Sequence, residues 1–243
     1  MSQTNNNEQV LPKRASSTAM IVTLGSVAML SGLLVVLTWQ LTLAAINENQ
    51  RIMIEKAIFQ VIPGAQQRQT FILTEKGLEP ELNSKSAKKG LKFYAAYDDK
   101  GQLKGIAAES AAQGYADMVK LLYGYDPQCE CIRGFSIIKM TETPGLGDKI
   151  LTDKSFLANF DALDARLNDN KSALKHAIIT VKHGSKNYPW EIDAISGATI
   201  TSKAVGKAIN QGAEQLLPRL QTVLTQIQTR PELPDTTLSE GKE

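Results

Sequence analysis

Four hydroxyl side chains surround a glycine and an alanine in one short stretch, residues 196–202. The hydroxyls are those of Ser196, Thr199, Thr201 and Ser202, and Gly197 and Ala198 stand between the first two. From Lys203 onward the apolar residues have helical spacing. Because a helix start presents unpaired N–H groups and a positive dipole end, small and hydroxyl residues here favour phosphate binding. An ordinary helix cap, in which Ser or Thr accepts a backbone N–H, is the alternative interpretation.

The sequence offers Thr199 no activating group of its own. A threonine hydroxyl is a weak nucleophile unless a base or a metal ion activates it. The nearest acidic residues before the helix are Asp193 and Glu191, and no base stands beside Thr199. We interpret His176 and His183, seven residues apart in a predicted strand region, as surface or packing residues. We therefore predict no catalytic residue and no metal ligand.

A second stretch, residues 142–150, follows a predicted strand. It reads Glu-Thr-Pro-Gly-Leu-Gly-Asp-Lys-Ile. One proline and two glycines favour a sharp, ordered loop. A turn between two elements is enough to explain these residues alone, so the stretch is informative only together with the first one.

Both stretches resemble the motifs of the covalent FMN-binding domain family. Asp193, followed after two residues by Ser-Gly-Ala-Thr, is similar to that family's attachment motif, in which the final Thr carries FMN through a phosphoester bond. The resemblance implies that Thr199 is this residue and that a separate flavin transferase attaches the cofactor. The loop that begins at Glu142 resembles the family's Glu-Thr-Pro-Gly-Leu-Gly loop.

The predicted cofactor contacts follow from this resemblance and from the phosphate chemistry of a helix start. Around the phosphate they are Asp193, Ser196, Gly197, Ala198, Thr199, Thr201 and Ser202, and around the ring they are Glu142, Thr143, Gly145 and Leu146. Tyrosines are further candidates to stack on the ring, with packing in the core as the alternative for each. They are Tyr115, Tyr123 and Tyr125.

The continuation of the loop, Asp148-Lys149-Ile150, looks most like the G subunit of Rnf-type ion-translocating electron-transport complexes. The resemblance then implies a flavin-carrying subunit, without turnover of its own, in a membrane complex that couples electron transfer to ion translocation. The C subunit of the sodium-translocating NADH:quinone reductase is one alternative, and a membrane-anchored binding module without cofactor is another. The stretch Cys129-Glu130-Cys131 departs from the family pattern.

Composition and charge narrow the possible functions of the chain. The 243 residues include 27 basic and 25 acidic side chains, a net charge of +2, and no long basic run, so a nucleic-acid partner is not expected. The two cysteines are too few for a disulfide framework or a four-cysteine zinc site. A local disulfide and two free thiols both remain open.

A long apolar stretch near the N-terminus predicts a membrane anchor. No charged residue occurs between Arg14 and Glu48, and residues 19–46 are mostly aliphatic. As a helix they extend about 42 Å, enough to cross a hydrocarbon core of about 30 Å. The apolar core of a cleaved signal peptide is only about 7–15 residues long, and a buried core helix is the other alternative. We therefore predict an uncleaved transmembrane helix.

The flanking charges predict its orientation. Lys13 and Arg14 precede the span, whereas the first base after it is Arg51. The positive-inside rule then places the N-terminus in the cytoplasm and the main domain in the periplasm of a bacterial inner membrane protein. The predicted organisation is a cytoplasmic N-terminus (1–18), the transmembrane helix (19–46), a periplasmic FMN-binding domain (47–229) and a disordered tail (230–243).

The apolar periodicity of the outer part predicts an α+β domain with antiparallel strands and flanking helices. Predicted strands are residues 91–97, 103–108, 118–125, 132–140 and 177–181, and predicted helices are 48–62, 156–167 and 203–226. Residues 74–90 are predicted as a loop, and Pro218 is expected to break or kink the last helix.

Overall fold

The computed structural model describes residues 16–75, 77–80 and 90–230. Two compact units divide the chain between Arg51 and Ile52. The predicted tail lies outside the described residues except for Arg230, and the predicted cytoplasmic segment except for residues 16–18.

One continuous helix, α1 (Ser17–Val61), contains the predicted span 19–46. It is long and apolar enough to cross a membrane, and the side chains of its most apolar stretch are exposed. The predicted helix 48–62 is confirmed as the continuation of this helix, which ends at Val61.

Among the described residues, seven strands form one antiparallel sheet in the order β2-β1-β3-β4-β5-β6-β7. Their bounds are β1 (Gln67–Thr74), β2 (Gly77–Pro80), β3 (Leu91–Tyr97), β4 (Leu103–Gln113), β5 (Met118–Asp126), β6 (Cys131–Lys139) and β7 (Leu163–Asp164). The predicted strands on 91–97, 103–108, 118–125 and 132–140 are confirmed. Strand β1 was not predicted, because its first half, Gln-Arg-Gln-Thr, hides the apolar alternation, and β2 lies in the predicted loop 74–90.

Each face of the sheet is covered by a helix. Alternation along β3 places Phe93 and Tyr97 in the larger core, against α3 (Thr199–Leu220). Tyr94 lies on the opposite face, in a smaller core with the last turns of α1. A Cβ at Gly124 would collide with the carbonyl oxygen of Val61, so glycine lets this helix end lie directly on the sheet. The result is a helix–sheet–helix sandwich.

The remaining elements are short. They are a 3₁₀ turn (Gly147–Leu151), α2 (Lys154–Ala158), a parallel pair formed by β8 (Ile179–Val181) and β9 (Glu191–Asp193), and a second 3₁₀ turn (Leu224–Ile227). The predicted strand 177–181 corresponds to β8.

The predicted helix 156–167 is wrong over most of its length. Asp153 caps α2 by accepting the N–H of Phe156 at 3.0 Å, and the helix ends at Ala158. Asn159 then donates to the carbonyl of Phe156 (3.0 Å) and accepts the N–H of Asp193 (3.0 Å). This side chain competes with the helical backbone bonds, so the chain leaves the helix and reaches β7.

Helix α3 begins four residues before the predicted start and ends at Leu220 instead of residue 226. Pro218 lies inside the helix, two residues before its end. The apolar residues after Leu220 continue into the second 3₁₀ turn, which explains why the helical pattern looked longer.

Candidate functional site

Three chain segments meet at one end of the main sheet. Because neighbouring strands are antiparallel, the end of β4, the start of β5 and the end of β6 lie at the same end of the sheet. The turn 113–118 and the loop 140–147 therefore lie side by side, and α3 begins against them. The two stretches identified in the sequence are brought together here.

A cavity of about 390 Å³ lies between these segments. Its lining includes predicted residues from both stretches, namely Glu142, Thr143, Leu146, Gly197, Ala198, Thr199 and Thr201, together with Tyr115, Gly147 and Ile200. This volume falls in the range of small-molecule sites.

Thr199 is the first residue of α3 and is half-buried. Its Oγ1 lies 3.4 Å from the carbonyl oxygen of Ile195, a weak contact. The first bond of the helical pattern runs from the N–H of Ser202 to the carbonyl of Ala198, at 2.9 Å. The N–H groups of residues 199–201 therefore precede the helical bonding pattern and are available to an anion.

The helix-cap interpretation is wrong. The N-cap residue is Ala198, which has no side-chain acceptor. Gly197 precedes it with φ of +82°, a left-handed conformation that glycine adopts without strain. The hydroxyl cluster thus needs an explanation other than capping.

Glu142 joins the three segments. Its carboxylate, only 8% exposed, accepts the N–H groups of Tyr115 (3.0 Å) and Ala116 (3.2 Å) through Oε1. The hydroxyl of Thr201 donates to Oε2 at 2.6 Å. A Cβ at Gly147 would lie 2.6 Å from the Cβ of Glu142, so this carboxylate also requires a glycine beside it. The side chain fixes the shape of the cavity.

The other predicted cofactor contacts differ in burial and in their distance from the cavity lining. Ser202 is fully buried, donates to the carbonyl of Ala198 (3.0 Å) and accepts the N–H of Ile195 (3.1 Å). Ser196 is exposed next to the cavity lining. Asp193 accepts the N–H of Gly184 at 2.7 Å and lies outside the lining. Gly145 lies outside it as well, in a left-handed turn with φ of +79°.

Of the three candidate tyrosines, one lines the cavity. Tyr115 is 70% exposed there. Tyr123 and Tyr125 are buried in the main core, and burial raises the pKa of both hydroxyls above the ordinary tyrosine range. Packing in the core is therefore the correct interpretation for these two.

Apolar side chains form an open rim around Thr199. Tyr115, Leu146 and Ile200 are between 48% and 70% exposed while lining one cavity. A flat aromatic group would cover such side chains, and the adjacent helix start would take a phosphate. The residues present therefore fit a flavin mononucleotide.

Sequence reasoning did not single out Gly147 and Ile200 as lining residues. Ile200 carried a usable signal, because a large apolar side chain in the first turn of a helix, between two threonines, has no cap role. Gly147 carried no such signal, because a glycine is needed there only to leave room for the side chain of Glu142.

The histidines have the packing and surface roles expected of them. His176 stacks on Trp190 with ring centroids 3.8 Å apart, and the exposed His183 lies 3.4 Å from Asp193. Within the described ranges, no group of metal-ligating side chains is assembled.

Comparison with known proteins identifies the domain. Residues 114–214 match the FMN-binding domain family. This range contains the turn, the loop and the helix start that enclose the cavity. The chain is 19% identical to NqrC of Shewanella oneidensis, whose crystal structure superposes with a TM-score of 0.56 over 74% of this chain and 98% of that one. At 19% sequence identity, this structural similarity shows a shared fold and nothing further.

Two relatives, each named as the G subunit of an ion-translocating oxidoreductase complex, align over most of the chain. The protein of Methanosarcina acetivorans is 28% identical over 81% of this chain and 93% of its own length. That of Vibrio vulnificus is 31% identical over 79% of this chain and 86% of its own length. The chain therefore belongs to the family of G subunits of ion-translocating oxidoreductase complexes.

Proposed function

We propose that this chain is the flavin-carrying subunit of a membrane complex that couples electron transfer to ion translocation, with FMN bound covalently to Thr199. The observation that carries the proposal is the shared cavity, in which the Thr199 helix start and the Glu142 loop face each other. Its bond is a phosphoester between Oγ1 of Thr199 and the FMN phosphate, formed with the loss of one water overall.

The first turn of α3 provides the binding site for the phosphate of FMN. Residues 199–201 contribute N–H groups that precede the helical bonding pattern, and the α3 dipole adds positive potential at the same place. Thr199 is held by the helix backbone while its hydroxyl keeps only a weak contact. A separate flavin transferase supplies the catalysis, because Asp193 and Glu142 are both engaged with their own backbone or hydroxyl donors.

The apolar rim of the cavity provides the surface for the flavin ring. Bound flavin exchanges one or two electrons, and that chemistry belongs to the cofactor. Leu146 and Ile200 would contact the ring, and Tyr115 would be available to stack on it. Covalent attachment then keeps the cofactor in a site that is open to solvent.

The apolar part of α1 anchors the protein in the membrane. Residues 19–46 contain no ionisable side chain, so the ion crosses the membrane through other subunits of the complex. Lys13 and Arg14 favour a cytoplasmic N-terminus and a periplasmic domain. The disulfide between Cys129 and Cys131 agrees with that side, because disulfides persist in oxidising compartments.

The test is the intact mass of the full chain, purified after co-expression with a flavin transferase. We expect the wild type to gain the mass of FMN less one water, and peptide mapping to place it on Thr199. Thr199→Ala should abolish the increment, whereas Thr199→Ser, which keeps the hydroxyl, should retain part of it. An unmodified wild type would favour a cofactor-free anchored module, and full modification of Thr199→Ala would overturn the assignment.

A further inference from the structure

The hairpin between β5 and β6 carries a disulfide that the flavin site does not use. Cys129 and Cys131 are bonded across a single intervening residue, with Cα atoms 5.2 Å apart. Of the two alternatives that the sequence left open, the structure has the disulfide. Because the loop is so short, the bond restrains the unfolded chain far less than a long-range disulfide does. Stabilisation of the fold is thus a weak reason for its presence.

The two sulfur atoms differ in accessibility. Cys129 is exposed in the turn, whereas Cys131 is 3% exposed. Cys131 is the first residue of β6 and pairs with Asp126 on one side and Asp164 on the other. An incoming thiolate therefore reaches the Sγ of Cys129, and Cys131 is the leaving group.

The residue enclosed by the disulfide has an unfavourable backbone conformation. Glu130 has φ of +51°, in the left-handed region where a Cβ is unfavourable. Its carbonyl accepts the N–H of Ala165 at 3.0 Å, which holds the loop against β7. This conformation costs free energy, and relaxation of Glu130 after the disulfide opens would favour reduction.

We propose that Cys129–Cys131 is a thiol–disulfide exchange site whose substrate is a dithiol. A thiolate of the dithiol attacks Sγ of Cys129, the bond between Cys129 and Cys131 breaks, and Cys131 leaves with the electron pair and takes a proton. The second thiol of the substrate then displaces Cys129, which is also protonated. The dithiol becomes a disulfide, and two electrons and two protons pass to this chain. This activity is independent of the flavin on Thr199.

The first test compares the two cysteines singly, in the folded full chain in detergent. Cys131→Ser leaves the exposed thiol of Cys129, and Cys129→Ser leaves the buried thiol of Cys131. With the aromatic disulfide DTNB as probe, we expect the Cys131→Ser protein to react about tenfold faster or more, because exposure controls access. Equal rates, or faster reaction of Cys131, would overturn the assigned direction of attack.

The second test isolates the backbone of Glu130. Glu130→Gly and Glu130→Ala remove the same charge, but only glycine adopts φ of +51° without cost. In equilibrium with reduced and oxidised dithiothreitol, the glycine variant should favour the disulfide about fivefold more than the alanine variant. Identical equilibria would contradict the proposal. So would a wild-type disulfide that dithiothreitol reduces only after the protein is unfolded.

Discussion

At the scale of single residues, Glu142 determines the geometry of the site more than any hydroxyl does. Its buried carboxylate accepts bonds from Tyr115, Ala116 and Thr201. Glu142→Ala would leave the buried Thr201 hydroxyl without its acceptor, so we expect the free energy of unfolding to fall by about 2–3 kcal/mol. Glu142→Gln keeps the side-chain shape and one oxygen and should lose less. Urea unfolding of both variants measures this, and equal stability of Glu142→Ala and wild type would contradict it.

The position of these residues was only partly predictable from their types. The phosphate site predicted at residues 196–202 rests on local rules, because hydroxyls and a left-handed glycine act on their own helix start. The buried role of Thr201 does not follow, because its partner Glu142 lies 59 residues away and such a long-range bond leaves no local pattern.

At the scale of elements, α3 is held in place by close contact with β8. A Cβ on Gly206 would collide with Oγ1 of Thr180 and lie 3.2 Å from Cδ1 of Ile192. We expect Gly206→Ala to reduce the free energy of unfolding by about 1–3 kcal/mol through overpacking. Thr180→Ala removes the colliding oxygen, so the alanine should cost clearly less in that background. A double-mutant cycle on unfolding free energies measures the coupling, and strictly additive losses would show that the contact is not the cause.

The strands at the centre of the sheet were predictable, and the shorter elements were not. Residues 91–97 are mostly apolar and end at the turn 98–101, so local pattern and structure agree. The segment after Ala158 has helical apolar spacing, yet Asn159 bonds to β9 and draws the chain away. Tertiary bonds override propensity where an element is only one or two turns long.

At the scale of the whole molecule, the unit that begins at Ile52 has two helical layers around a sheet, and its main core is rich in buried tyrosine. Tyr97, Tyr123 and Tyr125 are each at most 1% exposed, and their hydroxyls have no hydrogen-bond partner among the described residues. Alternation predicts that such strands are buried, but it does not predict that polar hydroxyls are buried unpaired. This feature depends on the assembled sandwich for Tyr123 at least, since its ring lies directly against Gly212 of α3, which excludes water from it.

The buried tyrosines predict a loss of stability in alkali. Burial raises the pKa of Tyr97 to about 12, partly offset by Arg230, and raises those of Tyr123 and Tyr125 as well. In the unfolded chain a tyrosine ionises near pH 10, so above that pH the unfolded state binds fewer protons than the folded state. Stability is thus intact below pH about 10 and falls as pH rises, by about 1.4 kcal/mol per pH unit for each such tyrosine.

Urea unfolding at a series of pH values, with tyrosinate absorbance to follow ionisation, measures this dependence. Tyr97→Phe is the matched control, because it removes one ionisable hydroxyl that has no hydrogen-bond partner to lose among the described residues. Above pH about 10, the free energy of unfolding of this variant should fall less steeply with pH than that of the wild type, by the contribution of one tyrosine. At neutral pH the two free energies of unfolding should be close. Parallel slopes in the two proteins would mean that Tyr97 ionises equally easily in the folded and unfolded chains, and that the core around it admits water.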